Sequence, residues 1–352
     1  MSPPMIALPS LFSRLLNACL LPLALICAGR LAHADGGCPQ VPPAPSAEQV
    51  RDGMAHARDR GVLWRLERDG RVSWLYGTVH VGRADWVYPG PTVLAALVDS
   101  STVALELDIT DPGVAQALTQ LPPGVADQPL SASQRRRLQI QAAAACVPVE
   151  QLAPLHPVLQ VTSLAASVNR RQGLDPMWAQ ELILTGISRG MGKPIASLET
   201  AATQLAALLP TDPAEAQREV NEGLDQMEDG RASRLLNRLV RDWEIGDLTD
   251  LADYAKWCEC LLDAADQAAL RRLLDERNPA LADGIAKLHE QGSVFAAVGA
   301  MHMTGPLALP RLMQQRGFVV TPVLPAAATP ASTPAKSSAK TAPAPRKPAS
   351  AR

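Results

Sequence analysis

Two stretches far apart in this chain end an apolar strand in the same way. Val72-Ser73-Trp74-Leu75-Tyr76-Gly77-Thr78-Val79-His80-Val81-Gly82 and Val294-Phe295-Ala296-Ala297-Val298-Gly299-Ala300-Met301-His302-Met303-Thr304-Gly305 both read as strand, Gly-x-x-His, then a second glycine. Glycine adopts backbone angles closed to other residues, so each strand can turn sharply and leave a histidine standing over the sheet edge. In open α/β sheets ligands bind outside the carboxyl ends of the strands. One Gly-x-x-His matches ordinary turns as readily as sites. Two, in matching contexts, set a geometric expectation: His80 and His302 converge on one pocket. Imidazole suits such a place, both as a ligand for transition metals and as a proton carrier near neutral pH.

The rest of the chain reads as α/β with a central, mostly parallel sheet. Val62 to Arg68 and Arg71 to Tyr76 alternate in polarity around Asp69-Gly70, a hairpin signal. A helix from about Thr92 to Val98 then leads into the apolar run Thr102-Val103-Ala104-Leu105-Glu106-Leu107-Asp108, read as a buried strand ending in two carboxylates. Helix followed by strand implies a parallel crossover. Glu106 is expected to face inward, because strands of parallel sheets are covered on both faces. A buried carboxylate then needs a cation, a metal or hydrogen bonds as partner. From 111 to about 290 the pattern is mainly helical, interrupted by Lys193 to Thr200, a short strand meeting a helix at Glu199. A carboxylate at that junction also suits a helix amino terminus. His289 lies on an amphipathic helix and is expected at the surface or core edge, and a last strand runs from Phe318 to Val323.

Flanking segments carry a different message. Arg14, the apolar run Leu15 to Ala28, and Ala32-His33-Ala34 before Asp35 form an export signal over 1–34, with periplasmic or secreted destination as its consequence. An uncleaved membrane anchor is the other reading of the apolar run. A Pro-rich, extended leader is expected over 35–60, the folded domain over 61–325, and a disordered Ala/Pro/Lys tail over 326–352. The tail's unopposed Lys and Arg suit weak contact with an anionic envelope surface. Cys38, Cys146, Cys258 and Cys260 remain in the exported chain, an even number that favours disulfides in an oxidising compartment, with three pairings open. A formal net charge of −2, without a basic cluster interleaved with aromatics in the folded part, argues against nucleic-acid binding. The chain also lacks a phosphate-binding loop, a dinucleotide fingerprint and a Gly-x-Ser-x-Gly elbow.

Taken in order, Leu75 to Gly82, Leu105-Glu106-Leu107-Asp108, Gly173-Leu174-Asp175, Gly192-Lys193-Pro194 with Leu198-Glu199-Thr200, Arg277-Asn278, and Val298 to Gly305 resemble the TraB/PrgY/GumN family, which includes the Tiki proteins. The resemblance implies an α/β fold similar to erythromycin-esterase and ChaN-like proteins. It further implies a site built from the two Gly-x-x-His motifs and a carboxylate, and metal-dependent peptidase chemistry. Carried onto this chain, His80, Glu106 and His302 are the candidate catalytic and metal residues, with Glu199, Asp108 and Arg277 behind them. Zinc suits two histidines and one carboxylate, and manganese an oxygen-richer set. The leading expectation is an exported metal-dependent hydrolase acting on peptides or proteins. Two alternatives stand beside it: a metal-independent esterase or amidase with His80 as base oriented by Glu106, and a peptide- or polysaccharide-binding protein without turnover.

Overall fold

The computed structural model describes residues 37–40, 42, 45–125, 129–261 and 263–325; the segments expected to be an export signal, 1–34, and a tail, 326–352, lie outside them. The leader is not extended throughout. Helix α1 occupies Ala47–Ala55, started by a reciprocal cap in which Ser46 Oγ accepts the Gln49 N–H and the Gln49 side chain accepts the Ser46 N–H. The proline-rich run stops at Pro45, so nothing opposes that cap. Cys38 is bonded to Cys146, tying the leader to the helical region, and Cys258 is bonded to Cys260.

Strands β1 (Val62–Arg68) and β2 (Arg71–Thr78) form the expected hairpin. Asp69 and Gly70 take the positive φ values, 52° and 72°, that a two-residue turn of this kind requires. Helix α2 (Pro91–Asp99) leads to β3, which covers only Thr102–Leu105, so Glu106 and Asp108 lie beyond the strand. After helices that include α3 (Pro157–Ala166) and α4 (Gln180–Gly190) comes the short strand β4 (Ile195–Ser197). Helices α5 (Pro213–Glu228), α6 (Arg231–Ile245) and α7 (Asn278–Gln291) follow, then β5 (Val294–Gly299), α8 (Leu309–Gln315) and β6 (Val319–Leu324).

The six strands lie in the order β4-β3-β5-β2-β1-β6. β4, β3, β5 and β2 are mutually parallel, and β1 is antiparallel to both its neighbours. β5, buried at every residue, is the reason the sheet must be covered on both sides. Val294, Ala296 and Val298 pack with Leu281 and Ile285 of α7 and Leu309 and Met313 of α8. Phe295 and Ala297 belong to the opposite core, with Tyr76, Val158 and Leu159 of α3, Val220 and Leu224 of α5, and Trp243 of α6.

His289 is buried rather than at the surface, because it joins three strands. Its Nε2–H donates to the Arg68 carbonyl at 3.1 Å, and Ser73 Oγ–H donates to its Nδ1 at 2.7 Å while accepting the Val294 N–H at 2.9 Å. Burial accordingly pushes its pKa down. Among the described residues no helix is long and apolar enough to cross a membrane.

Candidate active site

Because β4, β3, β5 and β2 run parallel, their carboxyl ends share one edge, and the residue just past each end is delivered there. β2 and β5 pair Thr78 with Gly299, which brings the two Gly-x-x-His turns side by side. Glu106 follows β3 directly, and Glu199 comes just after β4. The Leu198 and Glu199 N–H groups donate to the Leu105 and Glu106 carbonyls at 2.8 and 3.0 Å, continuing the ladder past both strands and holding the two carboxylates abreast.

Gly299 is the point of convergence. A β-carbon there would stand 3.2 Å from Glu106 Oε1, 3.5 Å from His80 Nε2 and 3.7 Å from His302 Cδ2. Only hydrogen leaves that space open. The three residues singled out from the sequence are therefore gathered around one position, and Glu106 faces inward, 5 % exposed.

Each imidazole is held by its far nitrogen. Asn278 donates its amide hydrogens to the carbonyls of His302 and Leu307 at 3.2 and 2.8 Å. Its Oδ1 must then accept, and His302 Nδ1–H donates to it at 2.5 Å. That leaves the Nε2 lone pair of His302 facing the centre. Burial pushes the His302 pKa down to about 3, so the ring is neutral. His80 Nδ1 lies 3.0 Å from Glu181 Oε1, which also accepts from Thr78 Oγ1, so His80 Nε2 likewise faces the centre. Burial alone would lower the His80 pKa, but the charge and hydrogen bond of Glu181, with Glu106 behind, raise it.

Glu181 was not singled out in the sequence, although the motif that places it was. Asp175 of Gly173-Leu174-Asp175 exchanges backbone hydrogen bonds with Gly82 at 2.9 and 3.1 Å, and the Gln180 N–H donates to the Val79 carbonyl at 3.1 Å. A β-carbon on Gly82 would lie 2.2 Å from the Trp178 carbonyl oxygen, so the second glycine of the first motif is what allows this approach. The start of α4 is thereby laid along the His80 turn with Glu181 against the ring. In the sequence, Glu181 is an acid in the first turn of a helix, indistinguishable from one serving the helix dipole.

Arg277 binds the two strand-end carboxylates together. Its Nη2 donates to Glu106 Oε2 at 2.6 Å and its Nε to Glu199 Oε2 at 2.9 Å; its Nη1 reaches the Leu273 carbonyl at 2.9 Å and approaches His302 Nε2 at 3.4 Å. All three side chains are at least 94 % buried. Burial would raise the Glu106 carboxyl, yet its positive neighbours and the Gly299 N–H, which donates to Oε1 at 2.7 Å, hold it down to about 2. His302 and Arg277 are the foremost of those neighbours, and Arg277 also donates a hydrogen bond to Oε2. Burial wins at Glu199, whose pKa is raised. Asp108 stands apart from the two histidines in its bonding: its carboxylate accepts from Arg189 Nη2 at 2.9 Å and from Thr110.

The donor types suit a divalent ion in their chemistry, though not in their spacing. Two imidazoles present Nε2 lone pairs while their Nδ1–H groups are fixed on oxygen acceptors, the outer arrangement that metal-binding histidines use. Glu106 adds a carboxylate oxygen, shared with Arg277 and Gly299. Among the described residues no three His, Cys, Asp or Glu side chains are drawn closely enough together to form a complete ion site. The groups surround a common point without closing on it.

The fold is an α/β one, with a mostly parallel sheet whose carboxyl edge gathers two histidines, two glutamates and an arginine. The chain belongs to the TraB/PrgY/gumN family, whose model matches residues 62–322. It is 25 % identical over 310 residues to "Metalloprotease TIKI1" of Danio rerio, a match covering 73 % of this chain. The chain spans 62 % of that relative's length. No solved structure matches it.

Proposed function

We propose that this protein is an exported, metal-dependent hydrolase of peptide bonds. The observation that carries the reading is the convergence of His80 Nε2, His302 and Glu106 on the open space at Gly299. The distant likeness to a metalloprotease supports the same chemistry.

In this reading His80, His302 and Glu106 hold the ion, zinc or manganese. Such an ion supplies an acidified water and polarises the scissile carbonyl. Glu181 and Asn278 fix the two rings so that no rotamer search accompanies binding. Arg277 keeps Glu106 ionised and hydrogen-bonds Glu199, a second buried carboxylate beside the ligands. The apolar residues around the histidines, among them Leu239 and Trp243, exclude bulk water from the bond under attack.

The test is metal analysis of the purified protein together with hydrolysis of a peptide library in which every neighbouring residue pair is represented. Cleavage that is lost on chelation and restored by zinc or manganese is the expected result. The His80–Glu181 pair favours one second reading, in which His80 takes the proton from water without a metal. In that case Glu181, not Glu106, orients the ring. Cleavage that persists through exhaustive chelation would select it.

Glu181→Gln gives a further expectation. The amide still reaches His80 Nδ1 but withdraws the negative charge that strengthens the imidazole as a donor to metal. Affinity for the ion should fall about 10–100-fold, the usual cost of losing an outer-sphere partner, read by competition with a chromogenic chelator. Unchanged affinity would remove Glu181 from the site.

A further inference from the structure

One side of the space at the histidines has nothing to offer a charge. A cavity of about 50 Å³ opens beside His80 and His302, and its remaining wall is almost wholly apolar: Val79 and Met301 from the two turns, Leu236, Leu239 and Trp243 from α6, and Leu251. Leu236, Leu239 and Trp243 fall on one face of α6 by their spacing. That face is fixed to the sheet. Trp243 Nε1 donates to the Gly77 carbonyl at 2.7 Å, and the Gly61 N–H donates to the Trp243 carbonyl at 3.1 Å, so the helix is bonded to the strand that ends in His80 and to the start of the hairpin. The wall is therefore rigid and in register with the histidines.

Its size limits what can enter. An apolar cavity of about 150 Å³ holds a benzene ring, and this one is a third of that. It has room for a methyl or isopropyl group and not for an aromatic ring. A charged side chain placed there would be desolvated without a partner.

We propose that this cavity receives a small aliphatic side chain of the substrate, the size of alanine or valine, next to the bond that is attacked, and that Leu236 and Leu239 set the size limit. The inference rests on the hydrolase reading above and names its substrate class: peptides cut beside a small apolar residue.

The experiment uses the whole protein and a peptide series that differs only at the residue flanking the cleaved bond, with Gly, Ala, Val, Phe or Lys there. Wild type should favour Ala or Val over Phe by about 10-fold or more in kcat/KM, since a methylene in an apolar pocket is worth that much. Leu239→Ala should raise the Phe-to-Ala ratio by a similar factor. Because truncating a core leucine loosens packing, Leu236→Phe is the companion variant: it fills the cavity, and Val should lose its advantage over Gly. Thermal melting confirms that each variant is folded. A flat preference in wild type, or one that neither folded variant changes, overturns the proposal. If no peptide is cleaved, the hydrolase reading fails by itself, and calorimetric binding of the same series decides the cavity: a size preference in Kd that Leu239→Ala shifts sustains it, and its absence overturns it.

Discussion

Arg277→Met is expected to lower folding stability by about 3–5 kcal/mol, the cost of removing one partner from a buried ion pair. Methionine replaces the stem but leaves Glu106 and Glu199 without the cation they share, in a site where both are almost completely buried. The sign of the pH dependence follows. In the native protein Glu106 is held down to about 2 from an ordinary 4.5, so the stability it contributes is fully present above 4.5 and is lost as pH falls towards 2. Without Arg277 that contribution shrinks, and burial weighs more heavily towards the protonated carboxyls. The difference between variant and wild type should therefore be greatest near neutrality and shrink below about pH 5, where the carboxyls begin to neutralise themselves. Urea titrations of the chelated protein at several pH values measure this directly. A penalty independent of pH would mean that Arg277 acts by packing alone.

The second large effect concerns turnover. His80→Ala and His302→Ala are each expected to reduce peptide hydrolysis by about 10²–10⁴-fold, because in the proposed reading each removes a ligand from an ion that contributes several kcal/mol to the transition state. The two should differ in stability. His302→Ala also strands the buried Asn278 Oδ1, whose partner is the His302 ring, at about 1–3 kcal/mol for an unsatisfied buried group. His80 has a partly exposed side chain and leaves behind a carboxylate that Thr78 still binds, so its replacement should cost less. Kinetics and metal content on folded protein decide the matter: full activity in either variant would dismiss that residue from the site.

How far the sequence led depends on the range over which each signal acts. The hairpin at Asp69-Gly70 and the paired Gly-x-x-His turns are local, set by glycine angles and apolar runs, and their lengths and positions agree with the structure. Glu106 was legible for a different reason: a carboxylate in an apolar strand demands a partner, and Arg277 is that partner. Glu181 was illegible because nothing in its own neighbourhood distinguishes it; only the bridge between Asp175 and Gly82 turns it towards His80. The cavity wall was hidden for the same reason, since Leu236 and Leu239 look like any other buried face of an amphipathic helix. α1 was hidden behind the prolines that precede the Ser46 cap, and the burial of His289 was hidden because its ring bonds to Arg68 and Ser73, on two strands far from it in the chain.

The placement of β5 has a consequence for how such a protein comes into being. This strand lies between β3 and β2, yet it is the fifth of the six in chain order. Until it arrives, the early hairpin and the β3–β4 pair have an unfilled slot between them, and His302, which follows β5, has yet to be made. A chain cut short before Val294 would carry His80 and Glu106 with nothing to join them. The two histidines and the two strand-end carboxylates therefore share one edge only once β5 has filled that slot.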